Sequence, residues 1–169
     1  LPALQGQIRV SSPDGRNQVT VEVSEGRLTY SVARDGRVLI LPSRLGFEFR
    51  GAPPLGNALR IADTTRQSND EWWTQPWGEV ARVREHYNEL AVSVQEASPA
   101  CPADRPTACR RFTFRVRAFD DGIGFRYELP EQPGLRAFEI TGELTEFAFT
   151  DNPRAWWIPS DRPRMDRSE

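Results

Sequence analysis

Lysine is missing from this chain altogether, so all 22 of its basic residues are arginine. A GC-rich genome writes arginine for lysine, and no functional conclusion rests on that choice. There is one histidine, His86, and there are two cysteines, Cys101 and Cys109. A serine triad needs a positioned histidine, so His86 is its lone candidate base. One histidine without a CxxC pair leaves zinc short of ligands. The formal net charge is −2, without the basic excess that nucleic-acid binding requires. No apolar run approaches the ~20 residues of a membrane-spanning helix. No basic stretch leads into an apolar one at Leu1, so a secretory signal is absent or already removed. A start at Leu rather than Met reads as a processed or excised segment. No glycine-rich phosphate loop occurs; Gly122–Phe125 (GIGF) is hairpin chemistry, because no helix follows it.

What the chain does have is aromatic and alternating. Nine Phe, five Trp and three Tyr supply much of a 38% hydrophobic content, enough for a core in a 169-residue chain of one domain. Phe112, Phe114, Val116 and Ala118 alternate with polar residues before Asp121-Gly122, and Ile123–Leu129 follows in reverse. Alternation on both sides of Asp-Gly predicts a β-hairpin. Gln18–Val23, Leu28–Val32, Val38–Leu41 and Leu45–Phe49 read as further short strands, with turns at Glu25-Gly26 and Asp35-Gly36 and a break at Pro42-Ser43. Pro53-Pro54 rules out helix, and Leu59–Ile61 is a short strand. Gly51–Gln75 is less regular, and Asn69–Trp77 carries three of the five tryptophans beside two acids. Glu79–Glu85 and Glu89–Gln95 read as strands paired around Tyr87-Asn88. Leu135–Thr150 holds one or two more, with Phe147 and Phe149 in phase. No helix longer than a turn or two is expected. The predicted class is all-β and antiparallel.

Cys101 and Cys109 flank a short polar loop and can close it as a disulfide, which would imply an oxidising compartment such as the periplasm. The alternative is two thiols on a loop. Glycoside hydrolysis needs two carboxylates flanking one bond. Asp70, Glu71, Glu79, Glu89, Asp120, Asp121, Glu143, Glu146, Asp161, Asp166 and Glu169 are available, but most such groups are solvated surface. Asp120-Asp121 are explained by turn formation. His86 reads as a hydrogen-bonded structural residue. Trp72, Trp73, Trp77, Trp156 and Trp157 are either sugar platforms or, the blander reading, core packing. Adjacent tryptophans in a strand point to opposite faces, so one of each pair is free for a surface.

Several blocks in order carry a family likeness: SSPDGRNQVTVEV (Ser11–Val23), LPSRLGFEF (Leu41–Phe49), QPWGEV (Gln75–Val80), REHYNEL (Arg84–Leu90), FRVRAFDDGIGFRYELPEQ (Phe114–Gln132), LTEFAFT (Leu144–Thr150) and AWWIPSD (Ala155–Asp161). In these the chain resembles the N-terminal domain of glycoside hydrolase family 97, bacterial exo-acting α-glucosidases and α-galactosidases. The resemblance implies an antiparallel β-supersandwich like that of galactose mutarotase over residues 1–159. It implies a linker over 160–169 toward a (β/α)8 barrel that would hold the catalytic groups and receive an oligo- or disaccharide. It also implies a calcium-dependent enzyme, periplasmic or secreted, to which this domain supplies one ligand, Glu169. Carboxylate suits Ca²⁺, a hard ion that takes oxygen ligands. No catalytic residue of the family carries over. Two other readings stand beside this one: a free-standing carbohydrate-binding sandwich, and an enzyme of mutarotase type, which a single histidine disfavours.

Overall fold

A computed structural model of the chain describes residues 6–97 and 109–156. Among the described residues eleven strands run in sequence: β1 (Ile8–Ser11), β2 (Asn17–Ser24), β3 (Arg27–Arg34), β4 (Arg37–Arg44), β5 (Phe47–Phe49), β6 (Ala52–Leu55), β7 (Leu59–Thr74), β8 (Arg82–Glu96), β9 (Arg111–Phe119), β10 (Ile123–Glu128) and β11 (Ile140–Glu143). Among the described residues the helical content is one 3-10 turn at Pro133–Leu135. The strands form sheets of order β1-β2-β3-β4, β10-β9-β8-β7 and β11-β5-β6. Every pairing in them is antiparallel, as the alternation predicted.

One core joins the sheets. Val19, Val21, Leu28, Tyr30 and Val32 of the first pack in the same cluster as Leu90, Val92, Val94, Phe112, Phe114 and Val116 of the second. Phe47, Phe49 and Leu55 of the third complete it. Burial follows period two through β9 and over Asn17–Val21 of β2, where every second residue is inside. The buried aromatics meet tilted or edge-on: Phe47 and Tyr127 lie 4.6 Å apart at 68°, and Tyr30 and Phe125 lie 5.4 Å apart at 55°. Such arrangements set the positive ring edge against a negative face.

The turns hold a surprise. Glu25-Gly26 and Asp35-Gly36 each place both residues in the left-handed region, with φ of 51° and 74° and of 50° and 77°. With Ser24 opposite Arg27 and Arg34 opposite Arg37, these are two-residue loops of the mirror-image type that matches strand twist. Asp121-Gly122 differs. Ala118 pairs with Ile123, the Phe119 N–H donates to the Gly122 carbonyl at 2.8 Å, and neither Asp121 nor Gly122 has positive φ. The hairpin expectation stands, but its loop is four residues long and does not use the freedom of glycine.

Three expectations are corrected. Residues 79–85 and 89–95 are not two strands around Tyr87-Asn88: β8 runs unbroken through that point. Its partner is β7, which continues from the expected short strand at Leu59 as far as Thr74 and takes in the tryptophan-rich run. Backbone pairing with β8 holds that part of β7, so its sequence shows little alternation. Pro42-Ser43 does not end β4, because the strand absorbs the irregularity as register shifts against β3. A further shift between Ile61 and Asp63 marks a bulge at Ala62 in β7.

Candidate functional site

Three surfaces carry the chemistry-bearing side chains. The first is a ribbon. β9 pairs with β8 only over Tyr87–Gln95, so Asp70–Thr74 and Arg82–His86 continue as two strands alone. Trp72 lies opposite Arg84 and Trp73 opposite Val83, one on each face. The Arg82 guanidinium sits 5.0 Å from the Trp72 ring centroid and that of Arg84 at 6.0 Å, within cation–π range. Arg84 also grips Asp70 with two bonds, at 2.7 and 2.8 Å. Trp72, Trp73 and Trp77 are all exposed, Trp77 at 85%, and so is Trp156. The core-packing reading of these four is therefore overturned; Trp157 lies outside the described residues.

The second surface is the outer face of the β8-β9-β10 sheet, where an arginine–carboxylate ladder runs across the strands. Glu89 accepts from Arg117 Nε at 2.8 Å and from Arg115 through its other oxygen. Arg115 also forks onto Glu128 at 2.7 and 2.9 Å, and Arg126 closes the ladder onto Glu128. Glu89 is almost fully buried. Burial alone pushes its carboxyl up, but the bonds from Arg117 and Arg115 outweigh this and hold it below the usual carboxylate range. Arg115, then burial working against it, then Arg126 bring Glu128 down to about 2. A general acid for glycoside cleavage needs the opposite shift, a raised pKa. Asp70, with Arg84 beside it, and Glu146, with Arg44 beside it, are lowered too.

The third surface lies along β4. Beyond its edge, Glu146–Thr150 runs alongside: the Leu41 N–H donates to Ala148 O at 2.8 Å and the Thr150 N–H to Leu39 O at 3.1 Å. Tyr30, whose hydroxyl burial pushes up to about 12, donates to the Glu146 carbonyl at 2.8 Å. Phe147 and Phe149 are in phase, as expected, yet both are exposed.

The single histidine is structural in its contacts. His86 Nδ1 lies 3.2 Å from Asp120 Oδ2, and Asp120 Oδ1 accepts the Asp14 N–H at 2.9 Å. The Ser12 hydroxyl donates to Asp14 at 2.5 Å. Asn17 Nδ2 donates to the Phe119 carbonyl at 2.8 Å. Together these tie the β1–β2 turn, the β9–β10 turn and β8 to one another. Cys109 is buried and disulfide-bonded; Cys101, the only other cysteine of the sequence, lies outside the described residues. The expected calcium ligand Glu169 and the 160–169 linker also lie outside them. Among the described residues no group of three or more His, Cys, Asp or Glu could hold a metal ion.

What the fold and these surfaces define is an antiparallel β-sandwich module with several of its described carboxylates in ion pairs and several aromatics turned outward. The family model for the Glycosyl-hydrolase 97 N-terminal domain matches residues 10–169, and the chain belongs to that family. Among curated proteins it is 25% identical over 151 residues to a retaining alpha-galactosidase of Bacteroides thetaiotaomicron, covering 89% of this chain and 20% of that protein. A Streptomyces bingchenggensis protein named "Probable retaining alpha-galactosidase" is 30% identical over 156 residues, covering 87% and 21%. Among solved structures, a Glycoside Hydrolase Family 97 enzyme of Pseudoalteromonas sp. strain K8 in complex with acarbose has 37% identity and a TM-score of 0.77, covering 85% of this chain and 20% of that one. The chain thus spans about a fifth of the length of the relatives it matches.

Proposed function

We propose that this chain is the N-terminal accessory domain of a calcium-dependent, exo-acting α-glycosidase. It would support a (β/α)8 barrel further along the same polypeptide, with the oligo- or disaccharide substrate bound by that barrel. The observation that carries this is the 37% identity to a family 97 enzyme of which this chain matches only 20%. The arginine-held carboxylates are consistent with this, since their arginines lower Glu89 and Glu128, the opposite of the raised pKa that a general acid needs.

The relatives named retaining alpha-galactosidases, and the Pseudoalteromonas enzyme in complex with panose, support an α-linked sugar as substrate class. Glu169 would supply one calcium ligand. The described carboxylates offer no cluster to complete a site, so the other ligands would come from the barrel. A bound calcium would supply positive charge to polarise the glycosidic oxygen or a reacting group. The disulfide at Cys109 supports a periplasmic or secreted location.

The test is the downstream gene sequence and the activity of its product. A reading frame that continues into a barrel, with the product hydrolysing p-nitrophenyl α-galactoside or α-glucoside, is expected. A frame that stops at Glu169 sinks the proposal. The exposed Trp77 and Trp156 favour one second reading, a free-standing carbohydrate-binding module. Calorimetric titration of residues 1–169 with maltose or galactosides separates the two, because heat of binding is expected only for the second.

A further inference from the structure

The ladder on the outer sheet face ends in an arginine on both sides. It runs from Arg117 through Glu89, Arg115 and Glu128 to Arg126. Its middle is saturated, since all three nitrogens of Arg115 are bonded to Glu89 or Glu128. The two ends keep donors to spare. Among the described residues Arg117 uses only its Nε, on Glu89, which leaves both Nη groups over. Arg126 places Nε and Nη2 on one oxygen of Glu128 and leaves Nη1 over. Three guanidiniums against two carboxylates leave the ladder itself one positive charge in excess.

Register brings those two ends to one place. Gly124 lies opposite Arg117 and Arg126 opposite Arg115, so Arg126 is a diagonal neighbour of Arg117 on the same face, within reach of long side chains. Between them the glycine leaves a gap, because a Cβ at Gly124 would have nothing within 4 Å. The result is a hollow of about 200 Å³ lined by Arg115, Arg117, Gly124, Phe125 and Arg126. Among the described residues no acid lines it; Glu85 also attracts Arg117 but stands outside the hollow. The floor is fixed from behind, where the Phe125 ring packs on Tyr30 and Phe114 with centroids 5.4 and 5.3 Å apart. Arg117 is steadied over the Tyr87 ring, 4.2 Å from its centroid. The Arg117 and Arg126 side chains are 34% and 64% exposed, so a solute can reach both.

We propose that this hollow binds a small oxyanion, a carboxylate or phosphate group, which bridges Arg117 and Arg126 and closes the ladder into a ring. Guanidinium forks present paired N–H donors at the spacing of two such oxygens. The source is free phosphate or the carboxylate of an acidic sugar. The inference does not rest on the accessory-domain reading, because every group it uses lies within this chain.

Isothermal titration calorimetry of the protein expressed from its whole gene, at constant ionic strength in chloride buffer, tests this with two probes, inorganic phosphate and galacturonate. Saturable binding of at least one is expected, with a Kd of about 1 mM for two charge-assisted hydrogen bonds. Arg126→Gln should weaken it at least about tenfold, because one charged donor is lost. Gly124→Val should abolish it by filling the hollow, at a position whose φ is not positive. Arg126→Gln, at an exposed end of the ladder, keeps the test decisive if Gly124→Val does not fold. Arg37→Gln, on the β4 edge, should leave binding unchanged. Phosphate alone, or galacturonate alone, identifies the source; both together confirm the shared chemistry. Absence of saturation with both probes would overturn the inference. So would binding that survives in Gly124→Val, which would place the ligand elsewhere, or a loss in Arg37→Gln as large as in Arg126→Gln, which would mean diffuse screening. A whole-gene product without glycosidase activity defeats the accessory-domain reading and leaves this inference standing.

Discussion

Replacing Glu89 with glutamine should destabilise the domain by an amount that disappears in acid. The carboxylate lies between Arg115 and Arg117, with its side chain only 4% exposed. Glutamine keeps one oxygen for one guanidinium but turns an NH₂ donor toward the other. One charge-assisted hydrogen bond is lost, worth about 1.5–3 kcal/mol. Two features limit the damage: Arg115 retains its fork onto Glu128, and Arg117 is about a third exposed and can reach water. The net expectation is about 2 kcal/mol, which for a domain of this size lowers the melting temperature by about 4–8 °C. The sign of the pH dependence follows from the lowered pKa. A carboxyl whose folded pKa lies below its unfolded value of 4.5 contributes its full stability above that pH and loses it as pH falls through the folded pKa. Thermal melts of the parent and Glu89→Gln proteins should therefore differ at pH 7, draw together below pH 4.5 and coincide once Glu89 is protonated. A gap that stays constant down to acid, or no gap at neutral pH, would refute the argument that ion pairing holds this carboxylate.

Other outcomes follow from single features. Gly122→Ala should be neutral or stabilising by about 0.4–1 kcal/mol in chemical denaturation, since Gly122 has ordinary φ and open space where a Cβ would go. Gly26→Ala should instead cost more than about 1 kcal/mol, because φ is +74° and the new Cβ would come within 3.0 Å of the Ala58 backbone. Reducing the disulfide at Cys109 should lower stability by about 2–3 kcal/mol if it closes the short loop to Cys101, and a non-reducing peptide map should show that pair. Chelation by EDTA should abolish hydrolysis by the whole-gene product while leaving the melting temperature of residues 1–169 unchanged, since the described residues hold no metal cluster.

The β2–β3–β4 meander was legible because two local signals agreed there. The side chains alternate by burial, and each turn places an acidic residue and a glycine in the left-handed region. The β7–β8 ribbon was not legible. Period-two patterning records burial on one face, and Asn69–Thr74 is largely exposed on both. Backbone pairing holds that stretch, and backbone pairing leaves little trace in side-chain identity. The same gap explains the tryptophans. Composition says that Trp72 and Trp77 are apolar, but not whether a partner strand or water lies against them. The ion-pair ladder escaped for a different reason: Glu89, Arg115, Arg117 and Glu128 converge only once the register of β8, β9 and β10 is known.

The bulge at Ala62 acts as a phase shifter for everything after it. Before it, Leu59 and Ile61 point into the core; after it the odd-numbered residues change sides, and Asp63 stands opposite Ser93 on the outer face. Were Ala62 instead taken into the ladder as an ordinary strand residue, the remaining length of β7 would slip by one against β8 and turn over. Trp73 would take the side that Trp72 now occupies with its arginine cover, and Asp70 would turn away from Arg84. The ribbon's two faces are thus assigned by one inserted residue far back along the strand. Flattening the bulge would rewrite the surface the ribbon presents without altering a single one of its own residues.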